Sequence, residues 1–159
     1  METATDTLAA PPAAPEQTCG DVPVLVAGVA GGVGARTLTR LLAGHCPATT
    51  TDLARARQPL DVLVTSITAA AAAQLPEALA QLSTPPVLAV VHTVPGPVPP
   101  AARARIRAAQ AHVRRTVSVP YVPAWTGLET PPGEVVPRRV GRARTQLVAA
   151  VDIAPHEGN

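Results

Sequence analysis

Residues 24–42, VLVAGVAGGVGARTLTRLL, constrain this chain more than any other stretch. The first five are a buried-type strand, and Leu38, Leu41 and Leu42 recur on one face of the helix that follows. Between them lies a loop with glycine at positions 28, 31, 32 and 34. The whole reads as a strand from Val22 to Gly28, a loop, and a helix from Ala35 to Ala43 with Gly44 just past its end. Such a loop aims backbone N–H groups at the helix N-terminus, which makes an anion site from geometry alone. Glycines are needed there because the turn is tight and a ligand must approach the backbone.

The remaining sequence repeats the alternation. LDVLVT (60–65), PVLAVVH (86–92) and TVSV (116–119) read as further buried strands. Helices are expected over TAAAAAQLPEALAQL (68–82), interrupted at Pro76, and over 99–113, with Ala102, Ile106, Ala109 and Val113 as the apolar stripe. A last helix is expected over 137–151, with Val140, Leu147 and Val151 facing inward. Residues 45–59 give only a short helix around Leu53. The strands are continuous apolar runs, the pattern of a parallel sheet covered on both faces. The expected fold is therefore α/β, a three-layer sandwich over residues 21–152. Residues 1–20, rich in Ala and Pro without periodicity, read as a disordered tail, and 153–159 as a flexible C-terminal tail.

Composition narrows the functions. Tyr121 and Trp125 are the aromatic residues, so the core must be aliphatic. All thirteen basic residues are arginine, and the net charge of +2 is too small to point to a nucleic-acid partner. The dispersed helix arginines read as solvated faces. Cys19 and Cys46 are too far apart in sequence to suggest a disulfide framework or a zinc site. METATDTLAAPPAAPEQ has neither a basic n-region nor an apolar h-region and does not read as a signal peptide, and no apolar run approaches roughly 20 residues, so the cytoplasm is expected, without membrane insertion. His45, His92, His112 and His156 lack metal-ligand spacing, and Ser66 and Ser118 lack a glycine elbow. Asp52, Asp61, Glu77, Glu129 and Glu134 form no local pair for acid–base work. No catalytic residue and no metal ligand is assigned.

The glycine loop admits three readings. The general P-loop pattern G-x-x-x-x-G-K-[ST] fits no register, since the chain has no lysine. Residues 30–37, AGGVGART, nevertheless resemble the K-G-G-x-G-K-T-T loop of the ParA/MinD group of P-loop ATPases. Gly31, Gly32 and Gly34 stand where that family's glycines stand. Its two lysines fall on Ala30 and Ala35, its magnesium-binding threonine falls on Arg36, and Thr37 alone is kept. LDVLVTS looks like the strand that in the family ends in an acid near magnesium; here it ends in Thr65 and Ser66. His92 stands in place of a base-recognition Asn, and VSVPYVPAW resembles the proline loop that runs beside the nucleobase. G-G-x-G-A-x-T-L and P-[YW]-V-x-A-W also resemble a group of degenerate MinD-like actinobacterial proteins that accompany conjugative or other mobile elements.

That resemblance, over about residues 22–150, implies a truncated P-loop NTPase-like fold and a pseudo-ATPase that does not hydrolyse. It implies a scaffold role with a protein partner or in a homodimer, linked to plasmid transfer or partitioning. ATP or ADP would be bound weakly at Gly31, Gly32, Val33, Gly34, Ala35, Arg36 and Thr37, with His92, Tyr121 and Trp125 on the base side. Phosphoryl transfer depends on neutralising charge on the phosphate oxygens, and without lysine, hydroxyl and acid that means is lost. The alternative for Tyr121 and Trp125 is that they cap the sheet edge or fill the space left by a nucleotide.

The second reading is a small nucleotide-binding enzyme, either a divergent ATPase or an NAD(P)-binding Rossmann oxidoreductase-like domain. Gly28, Gly31 and Gly34 form G-x-x-G-x-x-G, and Asp52, 18 residues after Gly34, is near the spacing of a ribose-binding acid. HCPATTTD, however, makes a poor second strand. The third reading is an empty loop whose glycines only let the helix pack tightly on the sheet. Sheet order separates the first two, because a P-loop sheet interposes a strand beside the first one, whereas a Rossmann sheet runs 3-2-1-4-5.

Overall fold

The structure, a computed structural model, describes residues 21–56, 59–133 and 135–152. The expected N-terminal and C-terminal tails, with Cys19 and His156, and Glu134 lie outside the described residues. Five strands, β1 (Val24–Gly28), β2 (Ala48–Thr50), β3 (Val62–Ser66), β4 (Val87–Val91) and β5 (Arg115–Val119), form one all-parallel sheet. Helices α1 (Ala35–Ala43) and α5 (Arg138–Asp152) pack on one face, and α2 (Ala69–Ala73), α3 (Leu75–Ala80) and α4 (Pro100–Ala109) on the other. The α/β class and the layering match the sequence pattern.

The apolar runs account for this arrangement. Every residue of β3 is buried, because helices cover both of its faces. Val62 and Val64 join Leu38, Leu42, Val140 and Leu147 in one core, and Leu63 joins Ile67, Leu75, Leu88 and Ala102 in the other. Alternate side chains of one strand therefore feed the two cores.

Three details differ from the sequence reading. The segment 45–59 carries a strand, β2, before a 3₁₀ turn at Leu53–Arg55. The Ala-rich helix is two helices meeting at Gln74, since Pro76 has no N–H to continue the first and is accommodated in the first turn of the second. The helix expected over 99–113 is α-helical to Ala109 and finishes as a 3₁₀ turn at Gln110–His112.

Strand order is β2-β1-β3-β4-β5. It is neither order weighed above. β2, next in the chain, pairs directly with β1, so the interposed strand expected of a P-loop sheet is not found among the described residues. The order is instead the flavodoxin-like form of the doubly wound sheet, with its switch point between β1 and β3. Ligands of such sheets bind in the crevice outside the carboxyl ends of the strands at that point.

Candidate functional site

The β1–α1 loop stands at the switch point. Its first residue is tied to the neighbouring strand, Val29 N–H donating to the Val64 carbonyl at 2.9 Å. Val33 is buried in the core and anchors the loop from below. A Cβ on Gly28 would lie 2.7 Å from a Val33 methyl, so only glycine lets that anchor seat. Gly34, the N-cap of α1, has φ of 95° and no side-chain cap, and a Cβ there would meet Val91 at 3.2 Å. This glycine allows α1 to pack close to the sheet. A Cβ on Gly31, by contrast, would meet nothing within 4 Å, and Gly31 has no left-handed backbone. Neither packing nor conformation demands glycine at 31. It leaves the loop's backbone open to an approaching group.

The first turn of α1 contains no acidic residue, and no side chain caps it. Its free N–H groups, with the helix dipole, favour an anion there. Arg36 and Arg40, both exposed, add positive charge beside the loop. Arg40 also donates to the Pro131 carbonyl at 3.4 Å.

The loop borders a cleft of about 1070 Å³. Its remaining walls come from the end of β2 with Thr50, Thr51 and Asp52, from Gln74, Glu77 and Gln81 of the α2–α3 turn and helix, and from Glu129. One wall is thus basic and the facing ones carry carboxylates. Asp52 sits just past β2, where Thr51 N–H donates to Val26 of β1. One Asp52 oxygen accepts from the Ala54 N–H at 3.0 Å, and the other lies 3.9 Å from Arg55, leaving the carboxylate largely solvated. The Thr39 and Thr50 hydroxyls, 2.8 Å apart, fix α1 against β2.

Of the site residues expected from sequence, Gly31, Gly32, Val33, Gly34, Ala35, Arg36 and Thr37 all border this cleft. Val33 does so with its side chain committed to the core. His92, Tyr121 and Trp125 line a second, smaller cavity of about 220 Å³ over the ends of β4 and β5, which the first cleft meets at Gly32, Gly34, Thr37 and Pro131. His92 is hydrogen-bonded through Nε2 to the Ser118 hydroxyl at 3.0 Å, and burial pushes its pKa below the usual value. Trp125 packs against the core, so one part of its surface is structural.

At the end of β3, where the resemblance expects an acid near magnesium, stand two hydroxyl side chains. Thr65 and Ser66 are buried; the Ser66 hydroxyl pairs with Thr68 at 2.9 Å, and Thr68 caps α2 by accepting from the Ala71 N–H. Asp61 lies at the opposite, amino end of β3, where it accepts the Leu25 N–H at 2.8 Å. Among the described residues no three His, Cys, Asp or Glu side chains come together to hold a metal ion. The basic side of the cleft suits an anion, and its hydroxyls and carboxylates suit hydroxyl-bearing groups.

Sequence reading passed over Arg40, Thr50, Thr51, Gln74, Glu77, Gln81 and Glu129 as site residues. Gln74, Glu77 and Gln81 were legible, since in an Ala- and Leu-rich helix they recur at i, i+3 and i+7 and so share a face. Arg40 lies on α1 one turn after Arg36, whereas Thr50 at the end of β2 and Thr51 and Glu129 in loops reach the cleft only through the sheet order and the tertiary fold. No helix among the described residues is long and apolar enough to cross a membrane. Comparison with protein-family models, curated proteins and solved structures finds no match.

Proposed function

We propose that this chain is a nucleotide-binding α/β protein that holds its ligand without hydrolysing it and works as an interaction module. The observation that carries the reading is the meeting, in one cleft, of the open Gly31 backbone on β1–α1 and the Asp52 carboxylate just past β2. Phosphate would lie on the N–H groups of the α1 terminus, beside Arg36 and Arg40. Ribose hydroxyls would face Asp52, with Gln74, Glu77 and Gln81 as further polar partners. A carboxylate accepts from hydroxyls and repels a second phosphate, so a nucleotide with free ribose hydroxyls is preferred over one phosphorylated there.

Support for a ParA/MinD kinship is the spelling of the loop, whereas the direct β1–β2 pair favours a doubly wound nucleotide fold. Both kinships would place an anion at this loop. A scaffold role with a protein partner or as a homodimer, and a link to plasmid transfer or partitioning, rest on the sequence resemblance. Calorimetry on variants tests the binding claim. Arg36→Ala should weaken nucleotide binding by about 1 kcal/mol, roughly fivefold, because an exposed charge contributes modestly. Ala35→Lys should strengthen it, and Asp52→Ala should weaken NAD more than inorganic phosphate. Identical affinities for all three variants and the parent would sink the assignment.

A further inference from the structure

Helices α3 and α4 leave a groove of about 330 Å³ on the face opposite α1. Leu75 and Ala109 form its buried floor and Leu79 its half-buried side, while Ala80 and Ala108 are too small to fill it. Arg105 and His112 stand exposed on the rim. Arg107 follows on α4, and Arg114 and Arg115 lie just beyond. The nearby acid of α3, Glu77, lines the nucleotide cleft and not this groove. Among the described residues Arg105 has neither an ion pair nor a hydrogen bond, and the one ion pair is Arg55 with Asp52. The groove thus combines an apolar floor with uncompensated positive charge.

The charge it lacks is at the start of the chain. Residues 1–20 carry Glu2, Asp6 and Glu16 and none of the thirteen arginines. Their large apolar side chains are Met1 and Leu8. The chain enters β1 beside the groove's end: Leu25 N–H and the Arg114 guanidinium both donate to Asp61, to its carboxylate and its carbonyl respectively. Arg114 is two residues from His112 on the rim. Leu8 lies thirteen residues before Asp21, a reach of up to roughly 45 Å when extended, ample for the groove. Tethering gives the segment an effective concentration near millimolar without any other partner.

We propose that the chain's own segment around Asp6–Leu8 docks in the α3–α4 groove, Leu8 against Leu75 and Leu79 and Asp6 toward Arg105. The proposal does not depend on the nucleotide reading. Its test is paramagnetic broadening in the full chain, with a nitroxide on Thr7→Cys in a Cys19→Ser background; Cys46 is buried and protected from the label. Dilute protein should lose amide signal at Leu79, Ala108 and His112. Arg105→Glu should restore that signal, and adding Asp6→Arg should bring the loss back. Absence of local broadening, or broadening that survives Arg105→Glu unchanged, would overturn the proposal. So would broadening seen only between spin-labelled and isotope-labelled molecules mixed at high concentration, which would assign the groove to a second copy.

Discussion

Gly31 and Gly34 are three positions apart, yet the structure assigns them different work. At Gly34 the backbone is left-handed and a side chain would press on Val91. Gly34→Ala should therefore lower stability by about 1–3 kcal/mol, read as a drop in the denaturation midpoint. Gly31→Ala should leave the midpoint unchanged, because the added methyl meets open space, and should reduce nucleotide binding by crowding the loop backbone. A Gly31→Ala protein that binds as well as the parent would refute the role given to that backbone. His92 offers a test through pH. Burial holds its pKa below 6.5, so as the pH falls the unfolded chain takes up the proton first. The stability it contributes is full above about 6.5 and is lost as the pH falls through the lower folded value. His92→Gln should make the decline in Tm on acidification shallower, and an unchanged slope would mean that the ring's burial is not felt. The loop was legible in the sequence because four glycines crowd between an apolar strand and a helix. The division of labour among them was not, since it depends on Val33 and Val91 approaching from elsewhere.

At the scale of elements, the long apolar signals were the readable ones. The limits of α1 follow from three leucines on one face and a glycine at each end, and β3 and β4 from Val- and Leu-rich runs, whereas β5, RTVSV, buries only its two valines. β2 was missed for a physical reason. It has three residues, Ala48, Thr49 and Thr50, lies at the sheet edge and buries little, so its identity as a strand comes from pairing with β1 and not from its own pattern. Two side chains bind elements together and can be tested. Asp61 joins the starts of β1 and β3 through the Leu25 N–H. Asp61→Ala leaves that half-buried donor without its partner and should cost about 1–3 kcal/mol by chemical denaturation. Thr68→Ala should cost about 1 kcal/mol by removing the cap of α2. A neutral result for Thr68→Ala would mean that Ser66 takes over the cap.

At the scale of the whole molecule, sheet order decides which loops meet. With β2 directly beside β1, the turn after β2 is carried to the glycine loop, and Asp52 reaches the cleft that Gly31 opens. An interposed strand would have separated them. At the end of β3, Ser66 pairs with Thr68, the cap of α2, where the resemblance expects an acid. The most direct measurement is a thermal-shift titration of the full chain with NAD, NADP, ADP and ATP, each with and without magnesium. A ligand that binds the folded state alone raises Tm with its concentration. The account predicts a rise with NAD or ADP that magnesium does not alter, and a smaller rise with NADP. No rise with any nucleotide, or a rise with ATP that requires magnesium, would contradict it.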